Sequence, residues 1–398
     1  VAVAVAHAAD VETAVNLAAS LTLEDAARHR WHALVVGAGP AGATAARELA
    51  RRGLDVLLVD RAAFPRGKVC GCCLNGNALA TLERVGLGDL PRRYGASPLG
   101  GMLLAANGCA VGLKLAGGVS LSREAFDAAL VAEAVQAGAA FLPGAAATLA
   151  EPTATKRAVR LASRGNEVRV AAGVVVAADG LGGALLARAG ESAAPPQPGA
   201  RIGAGTVSAT APDFYRPGTI YMACGAGGYL GLVRLEDGRL DLAAAFDAGW
   251  LRRAGGPGLA AARLLEGAGW PALSDLHRAP WRGTPALTRQ SRRLAAERVF
   301  VVGDAAGYVE PFTGEGIAWA LASAAAVAPL AAAEWRPELM REWAARYRGV
   351  VSRRQAACRT AAAVLRHPLL TGAAVAVLAR FPVLAGPFVR HLNRSSTP

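Results

Sequence analysis

A chain of 398 residues that is 53% hydrophobic and 6% aromatic buries a large core, which excludes disorder and leaves room for two or three domains or one interleaved pair. Its net charge of +13 rests on 40 Arg and 3 Lys, scattered in doublets such as Arg51-Arg52 and Arg353-Arg354 without zinc-finger spacing or an aromatic–basic signature. Nucleic acid is therefore not an expected partner, and anionic dinucleotides, phosphorylated lipids or a membrane surface are.

The first 30 residues carry Asp10, Glu12, Glu24 and Asp25 and no Arg or Lys before Arg28, the wrong charge for a secretory signal. They read as a weakly structured extension, with one amphipathic helix around 10–28 at most. The first methionine is Met102, so a non-methionine start or a lost start is expected. Residues 33–60 read as strand, glycine turn, helix and strand. Gly37-Ala38-Gly39-Pro40-Ala41-Gly42 is G-x-G-x-x-G in that context. Gly37 permits the tight turn, Gly39 lets a pyrophosphate approach the backbone, and Gly42 lets helix and strand pack closely. Asp60, at the end of the second strand, is placed to accept ribose hydroxyls, so the unit predicts a bound dinucleotide.

Further along, 98–115 predicts a hairpin turning at Asn107-Gly108, and 122–139 a helix with Phe126, Leu130, Val131 and Ala134 on one face. Residues 168–180 read as a strand pair ending in a glycine turn. From about 200 to 285, short strands broken by Gly and Pro predict an antiparallel sheet. "CGAGGYLG" (224–231) and "GGPGLAAA" (255–262) read as turns, so no second dinucleotide unit is expected. A buried parallel strand at 298–307 leads to a long helix at 315–334. The tail, 360–392, mixes apolar runs with Arg366, Arg380 and Arg390. Its longest uncharged stretch is shorter than the roughly 20 residues a membrane span needs. Two helices capping the fold are expected, with a position in a membrane interface as the alternative.

Three later segments carry a family resemblance: Asp179-Gly180 in "VVVAADGLGG", "VVGDAAGYVEPFTGEGIAWALASA" (301–324), and Arg123 in "LSREAFDAAL". Ordered along the chain behind the glycine motif as Arg123, Asp179-Gly180 and 301–324, they resemble the p-hydroxybenzoate-hydroxylase-type flavoproteins. The resemblance implies FAD and an α/β fold in which a Rossmann-like FAD-binding domain (31–97, 116–190, 290–345) is interleaved with an antiparallel-sheet substrate domain (98–115, 191–289). The extension 1–30 precedes them and a C-terminal helical cap (346–398) follows. It places cofactor contacts at Gly37, Gly39, Pro40, Ala41, Gly42, Asp60, Arg61, Arg123, Asp179, Gly180, Gly303, Asp304, Pro311, Gly314, Glu315, Gly316 and Ile317. Asp304 would bind the ribityl chain, and the Gly314–Ile317 backbone would face the isoalloxazine. Backbone N–H groups at that helix start suit the negative charge of a reduced flavin.

Within that group, Gly307 stands where aromatic hydroxylases carry His, and Gly314-Glu315-Gly316 where halogenases carry Ser-Ser-Gly. The G-E-G-I form and Lys68-Val69-Cys70-Gly71 resemble the geranylgeranyl reductases, which reduce isolated C=C bonds of isoprenoid chains. Their Y-x-W-x-F-P motif is kept only at Tyr229, with Gly231, Val233 and Arg234 replacing Trp, Phe and Pro. The resemblance implies a hydride from NAD(P)H docking transiently, or from an external electron carrier, and a proton from a nearby acid. Cys70 and Tyr229 are the candidate acids, and Lys68 would steady negative charge. Two rival expectations are an FAD-dependent monooxygenase hydroxylating a phenolic or polyketide-like lipid, and a non-catalytic FAD-binding, membrane-associated protein.

The expected partner is a hydrophobic small molecule or lipid, and the expected location cytoplasmic, peripheral at the inner face of the membrane. Six cysteines without a pairing pattern suit free thiols in a reducing compartment. Cys70, Cys72 and Cys73 lack the further ligands a zinc site needs, so no metal is expected. Cys70 reads as a thiol in a flavin-side loop, and a redox disulfide stays open as an alternative.

Overall fold

The computed structural model describes residues 17–153, 155–190, 196–310, 312 and 314–386. The short helix α1 (Leu23–Arg28) opens on a reciprocal cap between Thr22 and Asp25. Leu17, Leu23 and Ala26 are buried in the main core. Residues 17–30 are therefore docked against the fold, where the sequence suggested weak structure; 1–16 lie outside the described residues.

The principal elements then run β1 (Trp31–Val36), α2 (Pro40–Ala50), β2 (Val56–Asp60), β3 (Gly101–Ala106), β4 (Cys109–Lys114), α3 (Arg123–Gln136) and β5 (Ala140–Pro143). Next come β6 (Ala146–Pro152), β7 (Arg157–Ser163), β8 (Asn166–Ala177), β9 (Ile202–Ser208), β10 (Thr219–Gly225), β11 (Gly228–Arg234) and β12 (Leu240–Phe246). The helices α4 (Ala248–Ala254) and α5 (Pro257–Gly267), then β13 (Arg282–Ala286), β14 (Val299–Val301), α6 (Gly316–Ala331), α7 (Arg353–Leu365) and α8 (Pro368–Arg380) complete the order.

The first sheet runs β14-β8-β1-β2-β5, all parallel along this path. Its central strands β1 and β2 are mostly apolar and buried because both faces are covered, and α2 and α6 pack against each other. β8 is one 12-residue strand, not the pair its sequence suggested. Its first half pairs antiparallel with β7 and its second half parallel with β1. Gly173 lies inside the strand, where a Cβ would sit 2.9 Å from the carbonyl oxygen of His32.

The second sheet has the order β13-β9-β12-β11-β10-β3-β4, antiparallel except where β10 meets β3. Side chains alternate between its faces. Leu230, Leu232, Leu240, Leu242 and Phe246 pack on α4 and α5. Leu104, Met222, Tyr229 and Ala245 point the other way, toward the first sheet's glycine turn and the C-terminal helices. Asn107 and Gly108, both at positive φ, turn the β3–β4 hairpin. The 255–262 stretch holds more than a turn: Gly255 ends α4 in the left-handed region, and Pro257 starts α5.

α8 lies across β3 and β4. Asn107 Nδ2 donates to the Pro368 carbonyl at 3.3 Å, and Arg201 Nη2 to the Leu365 carbonyl at 2.8 Å. The C-terminal helices thus close the open face of the second sheet. The end of the expected tail, 387–392, lies outside the described residues.

Candidate active site

A single cavity of about 890 Å³ joins the glycine turn after β1 to the inward face of the second sheet. The turn is built tightly. A Cβ on Gly37 would run into the Ala178 carbonyl, and one on Gly42 into the Gly37 carbonyl. At Gly39, by contrast, a Cβ would meet only the guanidinium tips of Arg66 and Arg123, at 3.5 and 3.8 Å. An open backbone position at the N-terminus of α2, faced by two cations, fits an anionic pyrophosphate. Arg66 Nε is buried with no hydrogen-bond partner, which leaves one donor there for a ligand.

Acidic side chains hold this cradle in place. Asp127 accepts from Arg123 at 2.8 and 2.7 Å, and Arg66 approaches it to 3.4 Å. Asp60 accepts from the Ala38 N–H at 2.8 Å and the Ala62 N–H at 2.9 Å, which fixes its carboxylate beside the cavity. Asp179 accepts from the Leu185 N–H, and burial raises its carboxyl against those backbone bonds. Lys68 Nζ lies 3.9 Å from Asp304, and burial lowers its pKa more strongly than that carboxylate raises it. Arg66 and Asp127 were not among the residues singled out from the sequence; their signal was only their proximity to the "RGKVCG" loop and to Arg123.

Of the expected cofactor contacts, Gly37, Gly39, Pro40, Ala41, Asp60, Arg61, Arg123, Asp179, Gly180, Asp304, Gly314, Gly316 and Ile317 line this cavity. Three others do not. Gly42 packs the turn, and Gly303 sits where a Cβ would lie 2.8 Å from that of Ala41. The Glu315 carboxylate is buried against Asn77 Nδ2 at 3.1 Å. Pro311 lies outside the described residues.

The remaining candidates gather where the polar cleft becomes apolar. Lys68, Cys70 and Tyr229 all line the wall there. The Tyr229 ring meets Phe312 edge-on at 5.2 Å and sits 5.7 Å below the Arg201 guanidinium, itself paired with buried Glu310 at 2.9 Å. Burial raises the Tyr229 phenol, which stays un-ionised. A hydrogen bond with Cys72 draws the Cys70 thiol down to about 5 against the pull of burial, and Arg123 adds to the effect. Cys72 adopts φ 50° and is 3% exposed, so a cysteine occupies a backbone conformation that favours glycine. All three cysteines are free thiols, and no metal-ligand cluster occurs among the described residues.

Beyond Tyr229 the cavity is apolar. Its floor is the inward face of β9, β11 and β12, where Gly203, Gly231, Ala243 and Ala245 leave a hollow. Met102, Leu104, Leu113, Ile220 and Met222 form one side, and Leu378 and Leu384 close the end. One acid interrupts this surface. Asp241, on β12, was not identified from the sequence, and its signal was an acid on the inward register of an otherwise apolar strand.

Residues 30–227 match a family model described as an FAD binding domain. The digeranylgeranylglycerophospholipid reductase 1 of Methanothermobacter thermautotrophicus is 29% identical over 313 residues, covering 71% of this chain and 72% of that one. The chain thus carries an FAD binding domain, and over most of its length it is similar to a geranylgeranyl-type lipid reductase. FAD is the cofactor of this flavoprotein, and the glycine cradle described above is built to hold it. The menaquinone reductase of Mycobacterium tuberculosis (strain H37Rv) is 56% identical, but over 55 residues that cover only 14% of either chain. Two solved structures share the fold. A geranylgeranyl bacteriochlorophyll reductase-like protein from Thermoplasma acidophilum has a TM-score of 0.74 at 20% identity, covering 91% of this chain and 98% of that one. A flavin-dependent brominase has the same TM-score at 17% identity, covering 92% and 94%.

Proposed function

We propose that this flavoprotein reduces a C=C bond in a hydrophobic, isoprenoid-like lipid, with NAD(P)H as a transient electron donor. The observation that carries the reading is the continuity of the cofactor cradle with an apolar chamber floored by Gly203, Gly231, Ala243 and Ala245. An isolated alkene offers no hydrogen-bonding handle, so it must be held by burial, worth about 0.8 kcal/mol for each CH₂ removed from water. The relatives are named for a digeranylgeranylglycerophospholipid and a menaquinone, both hydrophobic lipids.

Bound FAD supplies two-electron hydride chemistry. The chain's own groups do the rest. Asp60, Arg66 and Arg123 bind and orient at the polar end, the apolar walls keep water from the reacting carbons, and an acid near Cys70 provides the proton. Purified protein should be yellow, and NAD(P)H should bleach it without oxygen. Incubated anaerobically with isoprenoid lipids, it should yield a product two hydrogens heavier. A product gaining one oxygen, with O₂ consumed, would replace this reading by a monooxygenase acting on a phenolic or polyketide-like lipid. A flavin that binds but is never bleached would favour a carrier.

We further propose that the C-terminal helices rest on a membrane surface and admit the lipid there, at the inner face for a cytoplasmic chain. α7 and α8 meet at a 105° bend, and no single described helix is long and apolar enough to cross a bilayer. Leu369 is 83% exposed and Val383 86%, with Leu370, Val377, Phe381 and Leu384 also exposed beside Arg380. Leu384 belongs both to this patch and to the cavity wall, which joins the patch to the chamber. The double variant Leu369→Asp/Val383→Asp should lose flotation with anionic phosphatidylglycerol vesicles while keeping its flavin. Unchanged flotation would remove the tail from any membrane role.

A further inference from the structure

Asp241 is buried differently from the other acids around the cavity. It is 5% exposed, lies on the inward register of β12 opposite Val233 and Val207, and forms part of the cavity wall. Its Oδ2 has no hydrogen-bond partner. Asp127 has Arg123 and Arg66, Asp60 has two backbone N–H groups, and Glu310 has Arg201. The cations facing Asp241 are committed elsewhere: Arg239 to Asp237 and Glu124, and Arg123 to Asp127. Its remaining ionisable neighbours are the three thiols, Cys72 within hydrogen-bonding reach and Cys70 and Cys73 beside it. An ionised carboxylate in that place would be a buried charge with no counter-ion of its own.

We propose that Asp241 is the acid that delivers a proton into the apolar chamber. This rests on the reductase reading above. The Asp241 O–H bond breaks and a C–H bond forms at the alkene carbon that does not receive the hydride. The two electrons come with that hydride from the reduced cofactor, and the carboxylate left behind recovers its proton from water reaching it through the polar cleft. Burial, with the Cys70 charge adding to it, raises the Asp241 carboxyl well above the usual range, so the proton is present at neutral pH. Cys70 is the weaker candidate, because a thiol drawn down to about 5 is a thiolate at neutral pH and has no proton to give. It acts instead as the anion that keeps Asp241 protonated.

The test pairs Asp241→Asn with the unaltered protein, both with FAD bound. Infrared spectra in H₂O and D₂O should show an un-ionised carboxylic-acid carbonyl band in the unaltered protein that Asp241→Asn lacks. Absence of that band overturns the assignment even if the variant folds poorly. Each protein is then reduced anaerobically with dithionite and mixed with a geranylgeranyl glycerolipid in detergent micelles. Asp241→Asn should be reduced normally, but its re-oxidation by the lipid should be at least ~100-fold slower, the lower end of what a positioned acid contributes. Equal re-oxidation rates overturn the inference and leave the reductase reading standing. If the unaltered protein with its flavin bound does not reduce the lipid either, it is the reductase reading that fails, and the inference with it.

Discussion

Gly42→Ala should purify without bound FAD. The added Cβ would collide with the carbonyl oxygen of Gly37 and lie 3.2 Å from the Ala178 Cβ, and neither neighbour is free to give way. Gly37 stands at φ 100° with its N–H donated to the Val59 carbonyl at 2.8 Å, and Ala178 donates its N–H to Val36 at 2.8 Å. The turn is thus fixed to three strands of the first sheet, so α2 would have to move, taking with it the N–H groups offered to the pyrophosphate. Overpacking costs about 1–3 kcal/mol, this contact stands at the upper end, and each 1.4 kcal/mol is a factor of about ten, so FAD affinity should fall ~100-fold. The flavin absorbance per mole of protein checks this. Gly112→Ala is the control, because its Cβ would meet nothing within 4 Å, and it should keep full flavin. A Gly42→Ala protein with normal flavin content would mean that the turn is softer than its contacts require.

The flavin half of the site was legible because each of its residues answers a constraint that few other residues can meet. Gly37 and Gly42 each have a different steric reason to lack a side chain, Gly39 leaves the backbone open to a pyrophosphate, and Asp60 has a fixed place at the end of β2. The strand pair expected over 168–180 is a single strand for a reason remote in sequence. Gly173 sits within it because the carbonyl of His32 on the adjacent strand leaves no room for a Cβ, and no local pattern reports that. Residues 17–30 were underrated for a similar reason: Leu23 and Ala26 are buried by tertiary docking, while the helix itself is six residues long. Asp241 was missed because a single acid in "LDLAAAF" reads as the solvent face of an alternating strand. Only the register against Val233 and Val207 turns it inward.

The same register makes the second large effect predictable. Gly231→Trp should divide substrates by width. Gly231 stands where the geranylgeranyl reductase motif carries Trp, and it pairs with Met222 on one side and Ala243 on the other. Its φ lies outside the left-handed region, and a Cβ there would meet first the Met222 sulfur at 3.1 Å and then the Ala243 carbonyl at 3.4 Å. A flexible thioether can shift by a few tenths of an ångström, so the variant should fold and keep FAD. The indole would then stand in the hollow between Tyr229 and Val233, which this chain leaves open to the chamber. A ring-bearing lipid such as a quinone would lose that space at a cost of about 1–3 kcal/mol, or roughly 5- to 150-fold in kcat/KM. A single prenyl chain, which is narrower, should be reduced at close to the original rate. Equal losses on both substrates would mean that the hollow at Gly231 is not where the substrate's bulk is placed, while a loss of flavin would mean that β11 carries the indole toward the cofactor. The ratio of the two kcat/KM values decides whether the missing Trp is a drifted remnant of the motif or the feature that widens this chamber.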